Sequence, residues 1–188
     1  SVPAETGLFF EIFHSGNSHS PPMIVPTGRR RRRYFPPFSR TRAAASTFTL
    51  TPGQAGALER LDSLLDARKH ATTLIFGVPA SGKTEVYLRL IRRAIAGGGQ
   101  ALFLLPEISL TRPFFEEFSA SLGVPVALWH SGLTPRERRR AWLAVSRGDV
   151  KVVVGARSAC LLPFCGLRLA ILDEEQDESF KQDSISPF

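Results

Sequence analysis

Cysteine is scarce in this sequence, and its scarcity argues against two classes of protein. The 188 residues include only two cysteines, Cys160 and Cys165. A small secreted scaffold held by disulfides needs more cysteines, and a cysteine-based zinc site needs a second pair. We therefore predict that the chain has no zinc site and that both thiols stay reduced in a cytoplasmic protein.

Long hydrophobic runs are also missing from the sequence. No apolar stretch approaches the ~18 residues that a membrane-spanning helix requires. The segment GLFF at positions 7–10 is too short for the core of a signal peptide, and Glu11 follows it directly. Because 43% of the residues are nevertheless hydrophobic, we expect a globular protein with a buried core and no membrane partner.

Acidic residues are outnumbered by basic ones, which gives a formal net charge of +7. The excess is unevenly placed, because residues 1–46 contain seven arginines against Glu5 and Glu11. Residues 47–188 contain 17 basic and 15 acidic side chains. The basic pI is therefore mostly a property of the N-terminal segment, and it does not indicate that the remainder binds nucleic acid.

Residues 1–46 are predicted to form a disordered Arg- and Pro-rich arm. They contain six prolines and five consecutive arginines at positions 29–33, with neither helical nor strand periodicity. Three other interpretations stay open, namely an electrostatic contact with nucleic acid, an organelle transit peptide and a stretch that is foreign to the domain.

Helical and strand patterns alternate from Thr47 onward. Helices are predicted over 51–69, 83–96, 109–122 and 134–148, and strands over 72–76, 100–105, 124–129, 150–155 and 167–175. The strands are apolar on both faces, which is typical of a parallel β-sheet covered by helices on both faces. This α/β pattern predicts a ligand site at the carboxyl ends of the strands.

The segment GVPASGKT at positions 77–84 fits the phosphate-loop pattern G-x-x-x-x-G-K-[ST]. It follows an apolar strand and opens a helix, so that backbone N–H groups and the helix N-terminus can hold phosphates. Lys83 is predicted to reach the β and γ phosphates, and the Thr84 hydroxyl is predicted to bind Mg²⁺. The expected cofactors are ATP and Mg²⁺, and the residues expected to bind them in this loop are Gly77, Ser81, Gly82, Lys83 and Thr84.

Two residues depart from the usual composition of such a loop. Pro79 has no N–H to donate, but the amides nearest Gly82 and Lys83 are expected to make most of the phosphate contacts. Ala80 stands where glycine is common, and a positive φ there would cost about 1 kcal/mol. We expect phosphate binding to be retained in a weakened form.

An acidic cluster, LDEEQDE at positions 172–178, follows the last predicted strand. Asp173 is predicted to hold Mg²⁺, often through water, and Glu174 is predicted to polarise the water that attacks ATP. Together with Lys83, these two residues form the predicted catalytic set. The alternative is a solvated acidic helix start, because acidic side chains favour that position.

Five segments resemble the PriA family of primosomal replication-restart helicases (primosomal protein N′), which belongs to helicase superfamily 2. They are GVPASGKTEVYLRLIRRA, ALFLLPEISLT, LWHSGLTPRERRRAW, VVVGARSA and LDEEQDESFKQ, in this order. The resemblance covers roughly residues 48–188. It implies that 47–188 form the first RecA-like P-loop NTPase lobe of an ATP-dependent 3′-to-5′ DNA helicase of the bacterial cytoplasm. The implied partners are single-stranded or forked DNA and primosomal proteins.

The resemblance also implies roles for individual residues. Gln54 in LTPGQ would contact the adenine ring, and Gln176 stands where most members have a histidine that couples ATP to movement. The segments PEISLT and GARSA would contact the DNA backbone, which suits sequence-independent phosphate binding by small and hydroxyl groups. The DNA-binding residues expected from these segments are Pro106, Ser109, Thr111, Arg157 and Ser158.

The sequence as given ends at Phe188, shortly after the second helicase motif. We therefore expect the second RecA-like lobe, its arginine finger and the zinc-binding cysteines of the family to be missing from this chain. Since an arginine finger contributes roughly 10³–10⁵ in rate, the chain alone is expected to bind ATP–Mg²⁺ weakly, to hydrolyse it slowly or not at all, and not to unwind duplex DNA.

Three other functions stay open at this point. The first is another superfamily 2 DNA translocase, such as a RecG-like protein or a restriction motor. The second is a small P-loop kinase, against which the segment LDEEQD argues. The third is a degenerate remnant that binds nucleotide or DNA without catalysis.

Overall fold

The computed structural model describes residues 49–75 and 81–174, together with the backbone of residues 9–12. Four α-helices of this part are α1 (Pro52–Ala67), α2 (Lys83–Ala96), α3 (Arg112–Leu122) and α4 (Pro135–Ser146). Its strands are β1 (Phe9–Ile12), β2 (Ala71–Leu74), β3 (Gln100–Leu104), β4 (Val126–Trp129), β5 (Val152–Gly155) and β6 (Leu167–Leu172). Two short 3₁₀ helices, η1 (Glu107–Ser109) and η2 (Arg157–Leu161), follow β3 and β5.

The six strands form one sheet in the order β2-β1-β6-β3-β5-β4. Strands β6, β3, β5 and β4 run parallel to one another, whereas β1 is antiparallel to both of its neighbours. The predicted α/β architecture is confirmed for these four parallel strands. Because β3 lies between β6 and β5, the loops that follow these three strands leave the sheet side by side.

Helices cover both faces of the sheet, and β3 shows how the sequence specifies this arrangement. Ala101 and Phe103 pack in a core with α1, α2 and α3, while Leu102 and Leu104 pack on the opposite face with α4 and η2. Successive residues of a strand point to opposite faces, so a strand that is apolar at every position fills both cores. Phe103 is at the centre of an aromatic group, 5.5 Å from the Tyr87 ring and 5.0 Å from the Phe118 ring.

Threonine is the N-cap residue of three of these four helices. Thr51, Thr111 and Thr134 each accept a hydrogen bond from a backbone N–H of the first turn, and a proline follows within two residues. The capping box predicted for Thr134 and Glu137 is confirmed, since each side chain bonds the other residue's backbone N–H. Pro113 lies in the first turn of α3, as predicted.

Strand β1 was not predicted, because the sequence analysis placed no regular structure before Thr47. Residues 9–12 pair with Ala71–Leu74 on one side and with residues 169–172 on the other. Both pairings join residues that are distant in the sequence, so local periodicity does not reveal them. The rest of the predicted arm lies outside the described residues. In the described part of the chain, no helix is both long and apolar enough to cross a membrane.

Candidate nucleotide-binding site

The N-terminus of α2 lacks the side-chain cap that α1, α3 and α4 have. Gly82 occupies the N-cap position with φ of 76°, and a glycine has no side chain that could accept from the first turn. The first N–H groups of a helix have no partner within the helix, and a bound anion can take that role. Lys83 and Thr84 open this helix, as the phosphate-loop pattern predicted. Gly77, Pro79 and Ala80 lie outside the described residues.

The backbone conformation of Gly82 favours glycine. Its φ lies in the left-handed region, which other residues adopt at a cost of about 1–2 kcal/mol. A Cβ added at Gly82 would also lie 2.7 Å from Nε2 of Gln54. The turn therefore favours the glycine of the G-K-T segment, and a larger residue would also have to displace the flexible end of the Gln54 side chain.

Gln54 connects α1 to the phosphate loop. Its Oε1 accepts from the Thr51 N–H at 2.9 Å, and its Nε2 donates to the Ser81 carbonyl at 2.7 Å. The side chain thus closes a capping box on its own helix and holds the residue that precedes Gly82. That Gln54 contacts an adenine ring stays a prediction, and the structure adds a second role for the same amide.

Asp173 and Glu174 follow β6 and lie next to α2. The Tyr87 hydroxyl, on the second turn of α2, donates to Asp173 Oδ1 at 3.2 Å, and the Glu174 N–H donates to the same oxygen at 3.1 Å. The Asp173 N–H donates to the Leu104 carbonyl at 3.0 Å, which fixes this segment against β3. The first and second predicted motifs are thereby brought to one edge of the sheet.

The Asp173 carboxyl lies in a poorly solvated position. Burial raises its pKa above the ordinary range, although hydrogen bonds from Glu174 and Tyr87 and the charge of Lys83 act in the opposite direction. Burial and the neighbouring Asp173 also raise the pKa of Tyr87, so the phenol keeps its proton and remains a donor. A cation bound here would compensate the desolvated carboxylate.

Mg²⁺ prefers hard oxygen ligands, a few from protein and the rest from phosphate and water. The Thr84 hydroxyl and the Asp173 carboxylate are of this kind. In the described part of the chain, both hydrogen bonds to the Asp173 carboxylate fall on Oδ1, and Oδ2 is left for a metal or its water. The donor set therefore fits the predicted ATP–Mg²⁺.

Glu174 contacts one of the residues predicted to bind DNA. The Ser109 hydroxyl, at the end of η1, donates to Glu174 Oε2 at 3.0 Å. Glu174 has a φ of 54°, an uncommon backbone conformation for a residue with a side chain. The segment PEISLT and the acidic motif are therefore in direct contact, which the sequence did not reveal because 65 residues separate them.

The other predicted DNA-binding residues lie at the same edge and have structural contacts of their own. Pro106 is buried and accepts from the Ser109 N–H through its carbonyl at 2.9 Å. Thr111 caps α3, and Arg157 opens η2. The Ser158 hydroxyl accepts from the Trp129 indole N–H at 3.1 Å. Gln176 lies outside the described residues, and binding of DNA by these groups stays a prediction.

Sequence reasoning missed two residues that organise this edge, Tyr87 and Glu107. Glu107 Oε1 accepts from the Ser131 N–H at 3.0 Å and from the Ser131 hydroxyl, and these bonds lower the pKa of Glu107. Arg138 of α4 donates to the Ser131 carbonyl at 2.6 Å. Tyr87 lies in the segment GVPASGKTEVYLRLIRRA and Glu107 in the segment ALFLLPEISLT. The signal that could have identified them is a polar side chain within an otherwise apolar motif.

Comparison with known proteins gives matches over the same region. The family model described as DEAD/DEAH box helicase matches residues 51–185. The chain is 43% identical over 136 residues to the replication restart protein PriA of Bacillus subtilis (strain 168), covering 72% of the chain and 17% of that protein. It is 40% identical over 140 residues to PriA of Chlamydia trachomatis, covering 74% and 19%. PriA of Synechocystis sp. is 41% identical over 138 residues, covering 73% and 16%.

These matches span less than a fifth of the length of the relatives. The largest covered fraction of the three relatives is 19%, in the protein from Chlamydia trachomatis. The names of these proteins therefore describe chains about six times longer than the matched part.

Proposed function

Because this chain belongs to the DEAD/DEAH box helicase family, we propose that residues 47–188 form the first RecA-like, ATP-binding lobe of a DNA motor. One observation carries this proposal. The N-terminus of α2, where Gly82 is the N-cap residue and Lys83 and Thr84 follow, is joined to Asp173 through the Tyr87 hydroxyl. An anion-binding helix end and a carboxylate for a cation are the two halves that a nucleotide–metal complex requires.

The chain's own residues then divide the work of hydrolysis. Backbone N–H groups at the start of α2 and the Lys83 ammonium hold the phosphates, while Thr84 and Asp173 hold the cation. When bound, Mg²⁺ neutralises charge that develops on the phosphate oxygens. Glu174 orients the attacking water and accepts its proton. Gln54 keeps the loop in register through Ser81 and is proposed to contact the adenine.

We propose that single-stranded nucleic acid lies across the loops that follow β3 and β5. These loops contain η1 and η2 at neighbouring positions of the sheet edge. Ser109, Thr111, Arg157 and Ser158 are short polar or basic groups, which suit sequence-independent contact with phosphates. Ile108 is 85% exposed and Leu161 is 77% exposed, and both provide apolar surface for contact with bases.

For the longer protein we propose an ATP-dependent 3′-to-5′ DNA helicase of replication restart, with forked DNA and primosomal proteins as partners. The support is the name shared by three bacterial relatives at 40–43% identity. The same identity favours this function over a RecG-like or restriction motor, and it supports the predicted location in the bacterial cytoplasm. A coupling role for Gln176 is part of this proposal.

The test is calorimetric titration of the chain with ATP in the presence and absence of Mg²⁺. A charge-assisted hydrogen bond contributes about 1.5–3 kcal/mol, so Lys83→Ala is expected to weaken binding roughly ten- to a hundredfold. Lys69→Ala, at an exposed position after α1, serves as the matched control and should bind as the unmodified chain does. Equal affinities of the two variants would contradict the proposed site.

A further inference from the structure

The contact between Ser109 and Glu174 joins the two functions proposed above, nucleotide hydrolysis and DNA binding. Ser109 Oγ donates to Glu174 Oε2 at 3.0 Å in a partly buried position. The contact is set by the sheet, because Leu104 at the end of β3 is in register with Leu172 at the end of β6. Glu174 is thus held by a residue of the predicted DNA-contacting segment.

The short helix η1 is attached at both of its ends and exposed between them. Glu107 at its start accepts from Ser131 of the β4–α4 loop, and Ser109 at its end donates to Glu174. Ile108 between them is 85% exposed. A strand of nucleic acid that contacts η1 therefore lies within one residue of the Ser109 hydroxyl.

A serine hydroxyl has a single proton to donate. If Ser109 donates to a phosphate oxygen, it cannot at the same time donate to Glu174. Building on the proposed function, we propose that Ser109 is a positioning residue that restrains Glu174 in the absence of nucleic acid. Binding of single-stranded nucleic acid on η1 transfers the Ser109 bond from Glu174 to the strand and frees the carboxylate to orient water. Hydrolysis thereby responds to the strand.

Glu174 and nucleic acid compete for the Ser109 hydroxyl. Because coupling between two sites acts in both directions, a change at Glu174 should also change the affinity for nucleic acid. Removing the acceptor in Glu174→Ala should raise the affinity for oligothymidylate by about three- to tenfold relative to Glu174→Gln. Glu174→Gln is the matched control, because it removes the same charge but keeps an oxygen that accepts from Ser109. In a Ser109→Ala background the two Glu174 variants should bind oligothymidylate equally.

The affinities of these variants are measured by fluorescence anisotropy of labelled oligothymidylate. Thermal unfolding checks that each variant is folded. This binding measurement needs no hydrolysis, so slow ATP hydrolysis by the chain does not affect it. Equal affinities of Glu174→Ala and Glu174→Gln with Ser109 present would overturn the proposal. So would the absence of oligothymidylate binding by a chain that binds ATP–Mg²⁺, an outcome that leaves the proposed nucleotide site intact.

Hydrolysis provides the second readout. Ser109→Ala should raise the rate without DNA by about three- to tenfold and bring the ratio of DNA-stimulated to basal rate toward one. Ser109→Thr keeps the hydroxyl and should retain most of the stimulation. A Ser109→Ala variant with a lower basal rate and an unchanged stimulation ratio would show that Ser109 supports Glu174 instead of restraining it.

Discussion

At the residue scale, the Tyr87 hydroxyl is the polar atom that joins α2 to the Asp173 carboxylate. Tyr87 is fully buried, and its hydroxyl donates to Asp173 Oδ1 at 3.2 Å. Its ring packs on Phe103 with centroids 5.5 Å apart. The side chain therefore combines a core contact with a bond to the predicted metal ligand, and Tyr87→Phe separates the two because it removes only the hydroxyl.

Tyr87→Phe is expected to lower the free energy of unfolding by about 1 kcal/mol, since it removes one partly buried hydrogen bond. It should also weaken ATP binding in Mg²⁺ while changing binding in EDTA little, because the altered group orients the metal ligand and not the phosphate loop. Denaturant unfolding and calorimetry in the two buffers measure these effects. Ser63→Ala, which removes an exposed hydroxyl on α1, is the control, and the same loss of Mg²⁺-dependent binding in both variants would refute the role of Tyr87.

At the element scale, Gln100 at the start of β3 contacts three segments that the strand pattern alone leaves separate. Its Nε2 donates to the carbonyls of Val145 and Val150, at 3.0 and 2.8 Å, and its Oε1 accepts from the N–H groups of Cys165 and Gly166. The residue is 1% exposed, so water cannot replace these bonds. One buried amide thus ties the end of α4 and the approach to β5 to the approach to β6.

Gln100→Ala is expected to lower the free energy of unfolding by about 3 kcal/mol or more, because each buried backbone group left without a partner costs about 1–3 kcal/mol. The midpoint of urea denaturation measures the loss. Gln100→Glu is the sharper variant, since it keeps the size of the side chain and the acceptor but replaces the donating NH₂ with an oxygen facing two carbonyls. A glutamate variant as stable as the unmodified chain would show that these two donor bonds contribute little.

The elements themselves were largely predictable from the sequence, and the exceptions have a common cause. Helix α2 begins at Lys83 and ends at Ala96 as the pattern indicated, because apolar spacing, the preceding glycine loop and the following glycines are all local signals. The bonds of Tyr87 to Asp173 and of Ser109 to Glu174 span 86 and 65 residues. Such contacts depend on strand order, which a single sequence does not encode locally.

At the scale of the whole molecule, strand β1 joins the phosphate loop to the rest of the sheet. Strand β2 leads into that loop, and in the described part of the chain it pairs with β1 alone. On its other side β1 pairs with β6, which leads into Asp173. The strands that precede the two halves of the site are therefore connected through four residues of the N-terminal region, which the sequence analysis assigned to a disordered arm.

Phe10→Pro tests this arrangement because proline lacks the N–H that a strand paired on both sides uses. Residue 10 is opposite Thr73 on one side and Ile171 on the other. We expect the free energy of unfolding to fall by about 2 kcal/mol and hydrogen exchange at the β2 amides to accelerate. Phe10→Val, which suits a strand, is the control. Identical exchange at β2 in the proline variant would mean that β1 is not part of the sheet in solution and that the lobe begins near Thr47.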